Sequence, residues 1–522
     1  MHLQHQCGTR PALRATHRLT SPHQAADLAA GFDRAACTEL ADTALRLARI
    51  AGAGYADIRV GCNQTEFFYA REDKLQAVQY ALEVGFGVRV LMNGSWGFAG
   101  SSTLAEAEVE RMVARAVENA RASARIQGAP IVIEDLPAYR EDWIMPLKTD
   151  PLQIATDVKA AHLLAVNAAA MRSGADFCSA TLHTVREQRF FASTRGSAIF
   201  QNRLRTSPGF TATATNKDTG KFVTRDSLAA PRGAGWDYVE SCDLVAEAAL
   251  AGAEVREKLA AKSVAPGAYD LVIDPTNLFL TIHESIGHST ELDRALGWEA
   301  DFAGTSFITP DKLGKLQIGS PLMTVIADRS QEGGLATVGF DDDGARTAGQ
   351  EFPIVENGVF KNYQMAMGQA QYIGRDASNG CAYCDSPAAF PIQRMPNISL
   401  QPNPQKTSID DLIGGIERGI YIKGAGSWSI DQQRDNFQFS GQLFYEIKGG
   451  KLGPMLRDVA YQSRTVSFWN AMDGLGDSST YVLGGSFFCG KGQPMQLAPV
   501  SHGAPAARFR GITVLNTERE DA

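Results

Sequence analysis

Cysteine is scarce in this chain and irregularly placed. Eight cysteines in 522 residues do not make a disulfide framework, so a reducing, cytoplasmic setting is expected. Long apolar runs are missing too. None reaches the ~18 residues that mark a membrane-spanning helix, so no such helix is expected. Neither sign of charge dominates: 50 basic residues stand against 58 acidic ones, a formal charge of −8. That argues against a dedicated nucleic-acid or anionic-membrane binder. No repeat of fixed period and no low-complexity tract interrupts the sequence. What remains is ordinary globular composition, 44% apolar and 21% charged, in a chain long enough for two hydrophobic cores.

Residues 1–32 are rich in His, Arg, Gln, Ala and Ser and lack the apolar core of a signal peptide; a disordered leader is expected there. Helical periodicity then covers 33–51, with Ala36, Leu40, Ala44, Leu47 and Ala51 on one face. Strand-like segments follow at 55–60, 66–80 and 84–92. Further helices are expected at 103–123, 150–172 and 242–261, with short strands over 177–214 between the last two. The Pro/Gly stretch Lys262-Ser263-Val264-Ala265-Pro266-Gly267 reads as a boundary. It separates an N-terminal domain at 33–262, helices on a mostly antiparallel sheet, from a largely β domain at 266–522. Turn signals at Asp343-Gly344, Asn357-Gly358 and Asn379-Gly380 fit repeated hairpins. Helices and strands are partly segregated, so the fold class is α+β.

One helix in the second half carries chemistry. Leu271-Val272-Ile273 reads as a buried strand, Asp274 as a helix cap and Pro275 as the first helical residue. The helix over 276–290 bears His283, Glu284 and His288 on an otherwise apolar frame. Burying two imidazoles and a carboxylate costs several kcal/mol, order of magnitude, unless each finds a partner. A zinc ion would be one, with the glutamate as general base on its water. The spacing is H-E-x-x-x-H. Residues four apart on a regular helix differ by about 40° in direction, and residues five apart by about 140°. Both histidines can face one ion only if the helix holds a one-residue bulge or unwinds near Gly287. Spacing alone leaves the metal site and two satisfied core histidines both open.

The wider pattern resembles the TldD/PmbA family. Gly85-Phe86-Gly87-Val88-Arg89-Val90-Leu91 and the following Gly94-Ser95-Trp96-Gly97-Phe98-Ala99 look like its amino-terminal signature. His283-Glu284 to His288 looks like its H-E-x-x-x-H. The blocks Gly339-Phe340-Asp341-Asp342-Asp343-Gly344, Ser378-Asn379-Gly380, Arg394-Met395-Pro396-Asn397, Gly419-Ile420-Tyr421-Ile422-Lys423-Gly424 and Cys489-Gly490-Lys491-Gly492-Gln493 follow in the family's order. The resemblance implies a zinc metallopeptidase with one Zn2+ held by His283, His288 and Cys489, and Glu284 activating water. It implies extended or unfolded peptides as substrate, and a dimer with itself or with a motif-less family partner. Asn379, Gly424 and Gly426 are expected beside the substrate. Where a Gly-rich acidic continuation is usual, Ser289, Thr290 and Leu292 stand instead, with Glu291 and Asp293 left as acidic partners. Two other readings remain: a non-catalytic subunit with a structural zinc, and a zinc amidase on a small substrate. Cys381 and Cys384 read as two reduced loop cysteines, Asp341-Asp342-Asp343 as a hairpin turn, and Trp96 as a core anchor.

Overall fold

The computed structural model describes residues 17–18 and 32–518, so the expected leader falls outside the described residues except for His17, Arg18 and Phe32. Two large sheets dominate. The first runs β1 (His17–Arg18), β3 (Lys74–Met92), β2 (Tyr55–Arg71), β6 (Phe177–Ser193), β7 (Ala198–Thr215) and β5 (Arg140–Ile144), with β4 (Ser95–Ser101) on β3 and β8 (Phe222–Asp226) on β7. All pairs are antiparallel except β5 with β7. Helices α1 (Arg34–Ile50), α2 (Glu106–Ser123), α3 (Thr156–Arg172) and α4 (Leu244–Ala260) lie close to the expected spans. Asp33 caps α1 by accepting from Ala35 N, which satisfies one of the first amides. The mixed α+β class and the helices on an antiparallel sheet are as the sequence led one to expect.

The segment 66–80 is not one strand. The chain turns at Glu72-Asp73, with Glu72 at φ 49°. No Gly or Asn marks that turn; the Glu72 amide is instead tied to Cys178 O at 2.8 Å.

The two faces of this sheet differ in kind. Ala56, Ile58 and Val60 of β2, with Phe86, Val88 and Val90 of β3, pack under α1 and α2, while Phe68, Ala70, Ala180 and Leu182 pack under α3 and α4. The alternate residues, Asp57, Arg59, Glu187, Arg189, Arg203 and Arg205, are also buried, against the C-terminal half. A strand alternating apolar and charged residues normally presents the charged ones to water; here both faces are dry.

The second sheet centres on β9 (Gly267–Ile273), parallel to β10 (Arg418–Ile430) and antiparallel to β16 (Ala507–Asn516). β16 continues to β13 (Val459–Arg464), β13 to β11 (Asn436–Lys448), which also pairs with β12 (Lys451–Arg457), and β11 returns to pair with β10, so the pairings close into a ring. Two features place the site. Helix α5 (Pro275–Ile282) leaves the end of β9, capped by Asp274 as expected. A separate hairpin, β14 (Val482–Lys491) with β15 (Gln496–Ala504), packs over that helix. At Gly484 a Cβ would lie 2.6 Å from Phe279 Cβ, so only glycine permits this approach.

Candidate metal centre

Beyond Ile282 the helix changes pitch. Residues His283–Gly287 form a π-helical turn, and the His288 amide donates to His283 O, an i→i+5 bond. The extra residue in this turn brings His283 and His288 to one side, with ring centroids 4.7 Å apart. The bulge that the five-residue spacing requires is therefore present. Hydroxyls hold it: Ser285 Oγ donates to Thr281 O at 2.5 Å, Ser289 Oγ to Ser285 O at 2.5 Å, and Thr290 Oγ1 to Ile286 O at 2.7 Å. Such back-bonding competes with the regular helix ladder. Gln364 Nε2 donates to Gly287 O at 2.6 Å. Gly287 itself has ordinary helical angles, φ −56° and ψ −63°; its need is space, since a Cβ would meet Met395 Sδ at 2.6 Å. The Ser289 and Thr290 that depart from the family pattern thus have a local use.

Each histidine has its tautomer set by a neighbour. His502 Nδ1 lies 3.0 Å from Ile398 O, which can only accept, so His502 carries its proton on Nδ1 and offers a lone pair at Nε2. That Nε2 is 2.7 Å from His283 Nδ1, so His283 donates there and keeps its Nε2 lone pair free. His288 Nδ1 lies 2.8 Å from Glu291 Oε2 and 3.2 Å from Arg294 Nη2; the shorter contact, to a carboxylate that can only accept, puts the proton on Nδ1 and leaves Nε2 free. Outer partners of this kind orient metal-binding imidazoles. Burial lowers the pKa of all three rings, against the pull of Glu284 and Glu291 at His283 and of Glu291 at His288, so they are neutral, as ligation requires.

Cys489 comes from β14, where a bulge between Ser486 and Cys489 interrupts the pairing with β15. Its Sγ is 3.5 Å from His288 Nε2, close to the roughly 3.6 Å between N and S on one tetrahedral zinc. The ligand atoms of His283, His288 and Cys489 lie within 4.8 Å of one another, and all three residues are buried. Among the described residues no other group of three or more His, Cys, Asp or Glu has this spacing. Burial pushes the Cys489 thiol up, while Arg394 pulls it down; a cation's charge would favour the thiolate further. Two neutral imidazoles and a thiol suit zinc and leave a fourth position for water.

Glu291, raised as an acidic partner by the sequence, does partner His288. Burial alone would push its carboxyl up, but Lys491, His288 and Arg294 outweigh that and hold it well below the usual range. Lys491 is fully buried, with Nζ 3.3 Å from Glu291 Oε1 and 2.8 Å from Asp293 Oδ1. Glu284 is paired at Oε2 with Arg434 Nη1, at 2.6 Å; its charge is felt at both His283 and Cys489. Arg434 sits in the β10–β11 turn at φ 65°. Sequence reasoning missed His502 and Arg434. A lone histidine in an alternating strand and an arginine in a turn carry no motif of their own.

The other expected residues lie in structural roles. Asn379 accepts from Met365 N and donates to Tyr363 O, both at 2.7 Å. Gly424, at φ 73°, receives Asn277 Nδ2 on its carbonyl and donates to Thr276 Oγ1, which ties β10 to α5. Gly426 lies in the β10 bulge, where a Cβ would be 2.7 Å from Gly441 N. These contacts neither place substrate beside them nor keep it away. Cys381 and Cys384 are buried free thiols. Asp341, Asp342 and Asp343 form the expected turn, but they are buried and hold the amides of Ala382, Cys384 and Met367. Trp96 lies under the Arg89 guanidinium, 4.3 Å from its ring centroid. A cavity of about 770 Å3 lies between 141–148, 233–237 and 330–348 and includes none of the metal-centre residues. No helix among the described residues is long and apolar enough to cross a membrane.

Comparisons with known proteins identify the fold and the family. A metalloprotease of Methanothermobacter thermautotrophicus is 27% identical over 89% of this chain and 96% of its own length. A zinc metalloprotease TldD homolog of Saccharolobus solfataricus is 23% identical over 89% and 97%. Among solved structures, TldE from Thermococcus kodakarensis superposes with a TM-score of 0.69 at 14% identity, covering 90% of this chain and 98% of that one. A putative modulator of a DNA gyrase from Thermotoga maritima gives 0.71 at 15%, over 92% and 100%. The model for PmbA/TldA metallopeptidase domain 1 matches residues 56–120 and that for the family's C-terminal domain matches 266–516, so this chain belongs to the TldD/PmbA family of metallopeptidases.

Proposed function

We propose that the chain is a zinc-dependent peptidase in which His283 Nε2, His288 Nε2 and Cys489 Sγ hold the ion and Glu284 is the general base. The observation that carries this reading is the π-helical turn, which brings two histidines with fixed tautomers to face a buried cysteine. Zinc, when bound, supplies Lewis-acid activation of water and of the scissile carbonyl. Glu284 takes the proton from the attacking water and returns it to the leaving amine. Arg434 holds Oε2 of Glu284, and among the described residues Oε1 accepts no hydrogen bond, so Oε1 is the oxygen open to that proton. Glu291, with Lys491 behind it, keeps the His288 ring in place while charge changes at the centre.

An extended peptide added to a sheet edge fits a site read mainly through main chain, and Asn379, Gly424 and Gly426 are proposed to lie along its course. The likeness to TldE supports an assembly of two related subunits, either with itself or with a motif-less partner. The other readings are a structural-zinc subunit and a small-substrate amidase. Glu284 favours catalysis, because a structural site has no use for a carboxylate beside its ligands.

The test combines metal analysis with digestion of an unbiased peptide library by wild type and Glu284→Gln. One zinc per chain is expected in both, with hydrolysis reduced about 10^2–10^4-fold in the variant. Equal cleavage by the two proteins would end the catalytic assignment, and zinc with four protein ligands would favour the structural one.

A further inference from the structure

Four arginines converge on one interior cavity where the N-terminal sheet meets the C-terminal half. Arg203 and Arg205 come from β7, Arg329 from just beyond Val325–Asp328, and Arg394 from just beyond Ile392–Gln393; Tyr383 and five apolar residues, Met395 and Ala498 among them, complete the wall. All four arginines are at most 6% exposed. The space open to the centre of a water-sized sphere is about 10 Å3, near the lower limit for one water-sized body.

Charge and hydrogen bonding are both incomplete there. Glu187 serves Arg203 and Arg205, and more distantly Arg189. Among the described residues no carboxylate oxygen lies within 4.0 Å of Arg329 or Arg394. Arg329 Nη2 donates to Arg394 O at 3.0 Å, Arg394 donates to Gln496 O at 3.2 Å and to Cys489 O at 2.5 Å, and the Cys381 thiol lies beside Arg329. Asp341 feels Arg329 only at longer range. Arg203 Nη2, Arg329 Nε and Arg394 Nε are buried with no partner. Guanidinium groups only donate, so no rearrangement among them can satisfy these N–H groups. A water can accept two bonds but brings two protons of its own and no charge. A monatomic anion accepts from every side and supplies the missing negative charge.

We propose that this cavity is a binding site for a small monatomic anion, chloride under ordinary conditions. The size excludes sulfate, phosphate and carboxylates. The ion joins β7 to the segments around Arg329 and Arg394, and through Arg394 it steadies the main chain at Cys489. The site is separate from the peptidase reading and stands or falls without it.

Crystals of the full chain grown in bromide and measured at the bromine edge are expected to show an anomalous peak between Arg203, Arg329 and Arg394. A water peak with no anomalous signal overturns the proposal. In solution, Tm is expected to rise with the logarithm of chloride concentration when chloride replaces gluconate at constant ionic strength, and to rise less in Arg329→Gln. A wild-type Tm indifferent to chloride, or an equal rise in the variant, overturns it as well. Should Arg329→Gln fail to fold, the bromide measurement on wild type decides alone.

Discussion

Replacing His502 by phenylalanine tests the link between tautomer and metal. The ring is fully buried, accepts from His283 Nδ1 at 2.7 Å and donates to Ile398 O at 3.0 Å. Phenylalanine keeps most of the volume and removes both bonds. His283 Nδ1–H is then a buried donor without an acceptor, which costs about 1–3 kcal/mol of stability in metal-free protein. The His283 ring also loses what fixes its Nε2 lone pair toward Cys489 and His288. Removing such an outer partner typically weakens metal binding about 10–100-fold, or about 1.4–2.7 kcal/mol more when zinc is present. His502→Gln restores an acceptor oxygen and should recover part of the affinity. Chelator competition gives the zinc affinity, and urea denaturation of stripped and loaded protein gives the two stability terms. If His502→Phe holds zinc as tightly as wild type, the tautomer argument is wrong.

Three more expectations follow from the same structure. Arg434→Met leaves the Glu284 carboxylate, 3% exposed, buried and unpaired, and should cost about 3–5 kcal/mol in urea denaturation; recovery of most of this by adding Glu284→Gln would support the pairing, and a single-variant loss below about 0.5 kcal/mol would refute it. His183 lies among Phe67, Phe487 and Phe488, where burial lowers its pKa from 6.5 to about 4. Because the unfolded chain takes up this proton first, wild-type stability should fall as pH drops through 6.5 toward 4, by about 2 kcal/mol at pH 5. His183→Phe should remove that part of the pH dependence, and an unchanged slope between pH 7 and pH 5 would count against it. Gly287→Ala forces a methyl toward Met395 and should cost about 1–3 kcal/mol, read as a lowered denaturation midpoint with reduced zinc content; a neutral effect would mean that the bulge is not held by this contact.

Helices α1 and α2 were legible because their apolar faces follow the 3.6-residue period, α3 because it is rich in Ala and Leu, and the helix bulge because five-residue spacing left no other way for His283 and His288 to converge. The Glu72-Asp73 turn was not legible, since a tether to Cys178 does there what Gly or Asn usually does. Arg434 reaches Glu284 across 150 residues of chain, and His502 meets His283 across 219; tertiary pairing of this range leaves no local pattern. The charged face of the first sheet was hidden for another reason. Asp57 and Arg59, read along one strand, look like residues facing solvent, and only the segment around Asp342 and Asp343 shows that they are covered.

That covered face constrains how the protein can change. An apolar interface tolerates drift, because one aliphatic side chain fits against many others. A seam of guanidinium and carboxylate groups does not: Arg89 pairs across it with Asp343 and Glu187 accepts across it from Tyr383 Oη, so losing Asp343 would leave Arg89 with Asp57 as its remaining acid partner within 4.0 Å. Charged positions on the two sides of the seam must therefore be inherited together. Chimaeras joining residues 33–262 of one relative to the remainder of another should fail wherever these charges are mismatched, even when every apolar residue is kept.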